Sequence, residues 1–274
     1  MIKVFFVTAA LLGANTAFAA CNPGDWKDPV AGAQQGSMIT GRAPIGSSID
    51  VNGKALKQGK NGDYVFGIAR DATGVAKVTI KPSCGDARVV SVNVLKRDFP
   101  VERVNGVPPK TANPTGAIAQ RIEAEQARVT AARQRNDDRQ DYLQKFIWPV
   151  TGRISGRFGS SRSYNGQPGA AHSGMDIAVG TGTPVKAPAG GVVTFADPGL
   201  YLTGGTLVLD HGQGISSNFL HLSRIDVKVG DVVRQGDVVA RVGATGRATG
   251  PHLHWGMNWL DVRIDPQLVL ERAP

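Results

Sequence analysis

The sequence predicts a mainly β protein in three parts: a small immunoglobulin-like sandwich over 20–105, a linker helix within 106–147, and a second antiparallel β domain over 148–274. Three observations carry that prediction. The 274 residues include 35 glycines, about twice the average share, while aromatic residues make up only 6%. That balance favours short strands joined by tight turns over a helical bundle. Apolar residues recur at period two in runs of four to eight, the spacing of half-buried strands. Only one long stretch, Ala117 to Lys145, lacks both glycine and proline. A hydrophobic content of 41% supplies packed cores and excludes a mostly disordered chain.

The N-terminus reads as a leader over 1–19. Met1-Ile2-Lys3 is a short positive start, Val4 to Leu12 is an apolar run of nine residues, and Ala17-Phe18-Ala19 fits a small-residue cleavage site. Nine residues fall far short of the ~20 that cross a bilayer as a helix, and no later stretch reads as transmembrane. The expected location is therefore periplasmic or secreted. Phe18-Ala19-Ala20-Cys21 also resembles a bacterial lipoprotein box, which makes an outer-membrane lipoprotein anchored at Cys21 the alternative. In an oxidising compartment the chain's two cysteines, Cys21 and Cys84, are expected to pair, with two free thiols as the other reading. Lys and Arg number 31 against 22 Asp and Glu, a formal charge of +9. Such a surface favours anionic partners: nucleic acid, acidic lipid or a wall polymer. Export argues against nucleic acid.

Within 20–105, Ser48-Ile49-Asp50-Val51 alternates and Asn52-Gly53 supplies a type I′ hairpin turn before Lys54-Ala55-Leu56. Asn61-Gly62-Asp63 is a second turn, followed by Tyr64, Phe66 and Ile68 at period two. Val75, Val78 and Ile80 mark another strand. Val89 to Leu95 marks the last, with Val90, Val92 and Val94 on one face. This part contains no histidine and reads as a spacer or binding module. Pro108-Pro109 and Asn113-Pro114 then break the chain. Thr115 is the expected N-cap of the helix, Ile118, Ile122 and Val129 form a thin apolar stripe, and a break falls near Asn136. The polar run Arg133 to Asp141 reads as a solvated face.

From Trp148 onward short β runs return: Gly190–Phe195, Thr206–Asp210, Ser217–Leu222, Val227–Val229, Val238–Val242 and His252–Met257. Gly230-Asp231-Val232-Val233 and Gly236-Asp237-Val238-Val239 form a near-repeat of two tight turns, each feeding a strand. All five histidines lie in this part: His172, His211, His221, His252 and His254. In a strand, positions i and i+2 share a face, so His252 and His254 present two imidazoles side by side. His172 and Asp176 bring a second imidazole–carboxylate pair, with Gly169, Gly174, Gly180 and Gly182 arguing for a loop that leads into a strand. Two neutral imidazoles, one carboxylate and a water make an open tetrahedral zinc site, and the absence of cysteine here excludes a closed thiolate site. No His-Glu-x-x-His motif is present, and the only glutamate after Trp148 is Glu271. Histidines not needed for the metal, among them His221 and His252, are then the acid–base candidates.

His172-x-x-x-Asp176, Phe219-Leu220-His221-Leu222-Ser223 and Gly246-Arg247-Ala248-Thr249-Gly250-Pro251-His252-Leu253-His254 resemble the three motifs of lysostaphin-type (LytM-domain) zinc metallopeptidases. Trp148-Pro149-Val150, Gly182-Thr183-Pro184-Val185 and Val227-Lys228-Val229-Gly230-Asp231 extend the resemblance to about Trp148–Leu270. It implies an antiparallel β domain with a substrate groove, a duplicated hybrid motif, that cleaves peptide cross-links of peptidoglycan. It also implies Zn2+ bound by His172, Asp176 and His254, with His221 and His252 orienting and polarising the water and the scissile carbonyl. Arg103 to Pro109, the sandwich and the helix resemble a subgroup from Gram-negative bacteria, which points to the bond between D-alanine and meso-diaminopimelate.

Other readings stay open at this level. Some members of such families have lost ligands and activate a cell-wall amidase, whereas this sequence retains every matched position. A phosphocarrier-like module on a related β motif would need an active histidine without a metal and leaves export unexplained. A regulatory or adaptor protein at the wall is a further expected partner. His211 is expected to be a turn residue or part of the groove wall. Gly243 to Gly250 lacks the Gly-Lys-Ser/Thr ending of a phosphate loop and reads as a flexible loop shaping one wall. Arg162, Tyr164 and Asn165 form a polar loop placed to contact substrate or merely to lie at the surface.

Overall fold

A computed structural model describes residues 22–104, 114–164 and 166–271. The expected leader, Cys21 with its expected disulfide or lipid, and the Pro108-Pro109 break lie outside the described residues. Cys84 is disulfide-bonded. As expected, the chain is mainly β.

Seven strands build the N-terminal layers: β1 (Gly32–Gln34), β2 (Met38–Arg42), β3 (Ser48–Val51), β4 (Lys54–Leu56), β5 (Asp63–Gly67), β6 (Val75–Lys81) and β7 (Arg88–Leu95). Five of them form a sheet in the order β1-β7-β6-β3-β4, with β1 parallel to β7, and β2 pairs with β5 beside it. The β3–β4 hairpin closes through Asn52 and Gly53, both at positive φ (48° and 82°), as a type I′ turn requires. Alternation sends Val90, Val92 and Val94 inward on β7. On β6 it buries Ala76, Val78 and Ile80 and leaves Val75 outside, because Val75 has the opposite parity. Period two fails on β5, where Asp63 through Phe66 are all buried. This strand is covered on both faces. Phe66 meets the Trp259 ring edge-on at 6.5 Å, and a Cβ at Gly67 would lie 2.9 Å from Ile264.

The next elements cross to the second half. β8 (Val101–Val104) pairs in parallel with β10 (Ser161–Tyr164), which follows β9 (Arg153–Gly156); β11 (Gln167–Pro168) completes that small sheet. Helix α1 (Gly116–Arg133) starts from the extended Thr115 and stops short of Asn136. It has 18 residues, and among the described residues no helix is long and apolar enough to cross a membrane. Val129 and Ala132 of α1 pack against Phe195, Leu200 and Val208. The polar run after the helix is not simply solvated. Arg133 is buried, Arg135 pairs with Asp137 and Asp210, Arg139 with Asp141, and Lys57 with Asp138.

The remaining strands are β12 (Gly174–Ala178), β13 (Pro184–Lys186), β14 (Gly191–Leu200), β15 (Gly204–Gly212), β16 (Ile215–Leu222), β17 (Arg224–Ile225), β18 (Val232–Val233), β19 (Val238–Arg241), β20 (Leu253–Trp259) and β21 (Val262–Ile264), before the short helix α2 (Pro266–Leu270). One large sheet runs β18-β14-β15-β16-β20-β12-β9, with β21 added on β20. β13, β19 and β17 form a second, small sheet. The near-repeat is built twice by one device. Asp231 Oδ2 accepts from Lys228 N at 2.9 Å and Asp237 Oδ2 from Arg234 N at 2.7 Å, and Gly230 and Gly236 take positive φ. That turn is also why Val227–Val229, expected as a strand, is not one.

Leu207, Leu209, Phe219, Trp255, Met257 and Ile177 fill the core face of the large sheet, in one cluster continuous with the N-terminal layers. Both halves therefore share apolar packing through Phe66 and Trp259. Phe66→Ala and Trp259→Ala are each expected to cost about 3–5 kcal/mol, the usual range for truncating a buried aromatic. Urea unfolding should register that loss; a change below about 1 kcal/mol would show that the halves do not depend on this contact.

Candidate functional site

Two neighbouring antiparallel strands start the site. Asp176 on β12 lies directly opposite His254 on β20, and directly opposed residues project to the same face. His172 enters from the loop before β12, as its flanking glycines predict. His172 Nε2 lies 3.0 Å from Asp176 Oδ1 and 3.0 Å from His254 Nδ1, and His254 Nδ1 lies 2.8 Å from Asp176 Oδ1. All three side chains are buried, and their potential ligand atoms lie within 4.8 Å of one another. Gly156 on β9 makes room, since a Cβ there would lie 2.5 Å from Asp176 Oδ2. Sequence reading did not single out this glycine.

His221 reaches the same place by a less regular route. By alternation it belongs with Phe219 on the core face. Between the β15–β16 pairs Gly205↔Leu222 and Leu207↔Phe219 the register slips, so Leu220 and His221 oppose Thr206 alone. This β-bulge, with His221 at φ 63°, turns the imidazole to the groove face. A left-handed, non-glycine residue costs roughly 1–2 kcal/mol. The rings of His221 and His252 then lie 4.8 Å apart, and His252 Nε2 is 3.9 Å from Asp176 Oδ1.

Backbone carbonyls can only accept, so they fix which ring nitrogen carries the proton. His172 Nδ1 lies 2.9 Å from Arg157 O, His221 Nδ1 2.8 Å from Thr245 O, and His252 Nδ1 2.8 Å from Gly250 O. Each imidazole is thereby left with Nε2 as an open electron-pair donor. Burial, reinforced by the charge of His254, pushes His221 down to about 3. Burial likewise pushes His254 down to about 4, against the pull of Asp176. Burial alone would raise Asp176, but its close contacts with His172 and His254 outweigh it and hold the carboxyl below the usual carboxylate range. The centre is thus a carboxylate beside the neutral imidazoles of His221 and His254.

Arg162 is part of this centre. It lies on β10, where Nη2 donates to Asp176 Oδ2 at 2.7 Å and Nε to Glu102 Oε2 at 3.1 Å. A residue before the first histidine and one from β8 therefore back the carboxylate. Asn165 lies outside the described residues, as does the side chain of Tyr164. The loop 243–250 does shape the groove, and it is tied down. Thr245 Oγ1 donates to Leu222 O at 2.8 Å, Gly205 N donates to Thr245 Oγ1 at 2.9 Å, and Arg247 N donates to Leu202 O at 2.8 Å. The resulting cavity has a volume of about 970 Å³, with α1 along one side and His172, Asp176, His221, His252 and His254 in its lining.

His211 is neither a turn residue nor a groove residue. It sits inside β15 with Nδ1 2.7 Å from Gly190 O, Nε2 2.8 Å from Ser217 Oγ, and its ring against Phe146.

A model of peptidase family M23 matches residues 170–266. The solved structure of a Pseudomonas aeruginosa protein assigned to peptidase M23 is 32% identical, with a TM-score of 0.64, over 86% of this chain and 94% of that one. The chain belongs to peptidase family M23. DD-carboxypeptidase/endopeptidase Mpg of Neisseria meningitidis serogroup B is 42% identical over 99 residues, which are 36% of this chain and 21% of that protein. Peptidoglycan DD-endopeptidase ShyA of Vibrio cholerae serotype O1 is 38% identical over 120 residues, 43% of this chain and 28% of that protein. The match spans less than a third of the length of either curated relative.

The buried His211 carries a stability prediction. Burial lowers it from 6.5 to about 4. The folded state therefore holds the neutral ring, and the unfolded chain takes up the proton first as pH falls. Stability present above pH 6.5 should decline from there toward pH 4. Urea midpoints measured across that window should fall in the wild type and fall less steeply in His211→Asn. An equal slope in both would contradict this account.

Proposed function

We propose that this protein is an exported, zinc-dependent endopeptidase that hydrolyses peptide cross-links of bacterial peptidoglycan, at the bond between D-alanine and meso-diaminopimelate, in the periplasm or outside the cell. One observation carries the reading: His172 Nε2, Asp176 Oδ1 and His254 Nδ1 converge to within 3.0 Å, beside two further imidazoles in a groove. The printed names of the relatives, DD-endopeptidases of peptidoglycan among them, support the substrate class.

Those three atoms would hold Zn2+. They form an N,N,O donor set without thiolate, which suits a catalytic ion with an exchangeable fourth position. His172 already has its Nδ1 hydrogen-bonded to a backbone carbonyl, the outer support such ligands use. When bound, the ion supplies Lewis-acid polarisation of the scissile carbonyl and lowers the pKa of water. The rest falls to the protein. His221 and His252 each turn Nδ1 to a backbone carbonyl and leave Nε2 for the substrate, and one of them takes the proton released as water attacks the carbonyl. The imidazolium so formed returns that proton to the departing amine. Arg162 holds the Asp176 carboxylate by its other oxygen and keeps it ionised and oriented.

Purified protein lacking the leader is expected to carry one zinc per chain and to convert cross-linked muropeptides to monomers, as read by mass spectrometry. His254→Ala should lose both metal and activity. His221→Ala should retain the metal and lose about 10²–10⁴-fold in kcat, the typical contribution of a general acid–base residue. Full activity in His254→Ala would reject the assignment.

A further inference from the structure

Beyond the metal-proximal histidines, the groove floor continues along β20 and its neighbours. His254, Gly256 and Asn258 share one face of β20, opposite Leu220, Asn218 and Ser216 of β16. At ~3.3 Å per residue, Asn258 stands about 13 Å from His254. Two arginines gather at that end. Arg263 on β21 is the cross-strand partner of Asn258, to whose Oδ1 its Nη1 donates at 3.3 Å. Arg133 comes from the last turn of α1, is only 9% exposed, and lines the same cavity as Arg263.

The polar balance at this end is incomplete. Arg133 Nε, Asn258 Nδ2 and Ser216 Oγ are buried without a hydrogen-bond partner. Asn258 spends its own oxygen on Asn218 Nδ2 (3.0 Å) and Arg263. Among the described residues the carboxylate acting on both guanidinium groups is Asp261, which is exposed and accepts from Gln134 Nε2 at 2.7 Å. Burial and the charge of Arg133 push Arg263 down to about 10. A buried and a half-buried like charge side by side, the first with a spare donor, are costly unless an anion meets them. The Asn218 amide covers Gly256 and lines the cavity between this end and the histidines, so an extended peptide can lie across it.

We infer that Arg133 and Arg263 form a carboxylate-binding subsite, which holds a free carboxylate of the peptide substrate about 13 Å from the three-residue cluster. The planar guanidinium fork suits that group, and a peptide anchored there extends over Asn218 to place a peptide bond beside His252 and His254. This rests on the reading of the protein as a peptidase acting on acidic cross-link peptides.

The test uses a cross-linked stem-peptide dimer with free carboxylates and the same dimer with its carboxylates amidated. Binding is measured by calorimetry in the slowed His221→Ala protein and turnover in the wild type. The free dimer is expected to bind about tenfold tighter than the amidated one, the scale of one charge-assisted contact. Arg263→Gln should abolish that preference and raise KM with little change in kcat, and Arg263→Lys should restore part of it. Equal affinity for the two dimers in the Arg263-intact protein, or a preference that survives in Arg263→Gln, overturns the subsite. If Arg263→Gln fails to fold by circular dichroism, Arg133→Gln carries the same expectation. Selective binding without cleavage would sink the peptidase reading and leave the subsite standing. Cleavage without selectivity would do the reverse.

Discussion

Everything at this centre depends on a carboxylate, Asp176, placed opposite His254 across one antiparallel strand pair, with His172 delivered by the preceding loop. Buried polar groups of this kind are tolerated only when their electron pairs are satisfied. Here His254 and Arg162 share that task, and the shared focus of Nε2, Oδ1 and Nδ1 is a position suited to a divalent cation. The core beneath, with Trp255, Met257, Met175 and Ile177 on the opposite face of the same strands, holds those two strands in register.

Proton placement follows from backbone geometry as much as from side chains. Arg157, Thr245 and Gly250 each turn a carbonyl toward the Nδ1 of a histidine. That one choice orients three rings and keeps their Nε2 atoms available. The hydrogen bonds that pin the 243–250 loop to Leu202, Gly205 and Leu222 therefore matter to the chemistry, because the loop supplies two of the three carbonyls.

The N-terminal half does more than hold the domain at a distance. Glu102, on a strand that pairs with β10, braces Arg162 and through it Asp176. Helix α1 lies on the groove face of the large sheet, against Phe195 and Val208, and contributes Arg133 to the cavity. Strands and helix upstream of residue 148 thus reach into the site built by the residues after it. The N-terminal part contains no histidine, so composition gave no sign of this role.

Much was legible without coordinates. Turn residues and alternation located the β3–β4 hairpin and the inward face of β7, and the glycine- and proline-free stretch located α1. The clustering of histidines after residue 171 pointed to the groove, and His-x-His spacing with His172-x-x-x-Asp176 pointed to residues that the fold brings together. Local periodicity could not show that β5 is covered on both faces, since that depends on which layers pack against it. It could not show that His221 leaves the core face either, because a register slip opposite Thr206 reverses its parity. Nor could it bring Glu102, Arg133 and Arg162 to the cavity, or take His211 away from it. Sequence determines which chemical groups are available and how neighbouring residues alternate; only the packing of strands distant in the chain decides which of those groups meet, because each such contact is set by sheet register and layer order rather than by spacing along the backbone.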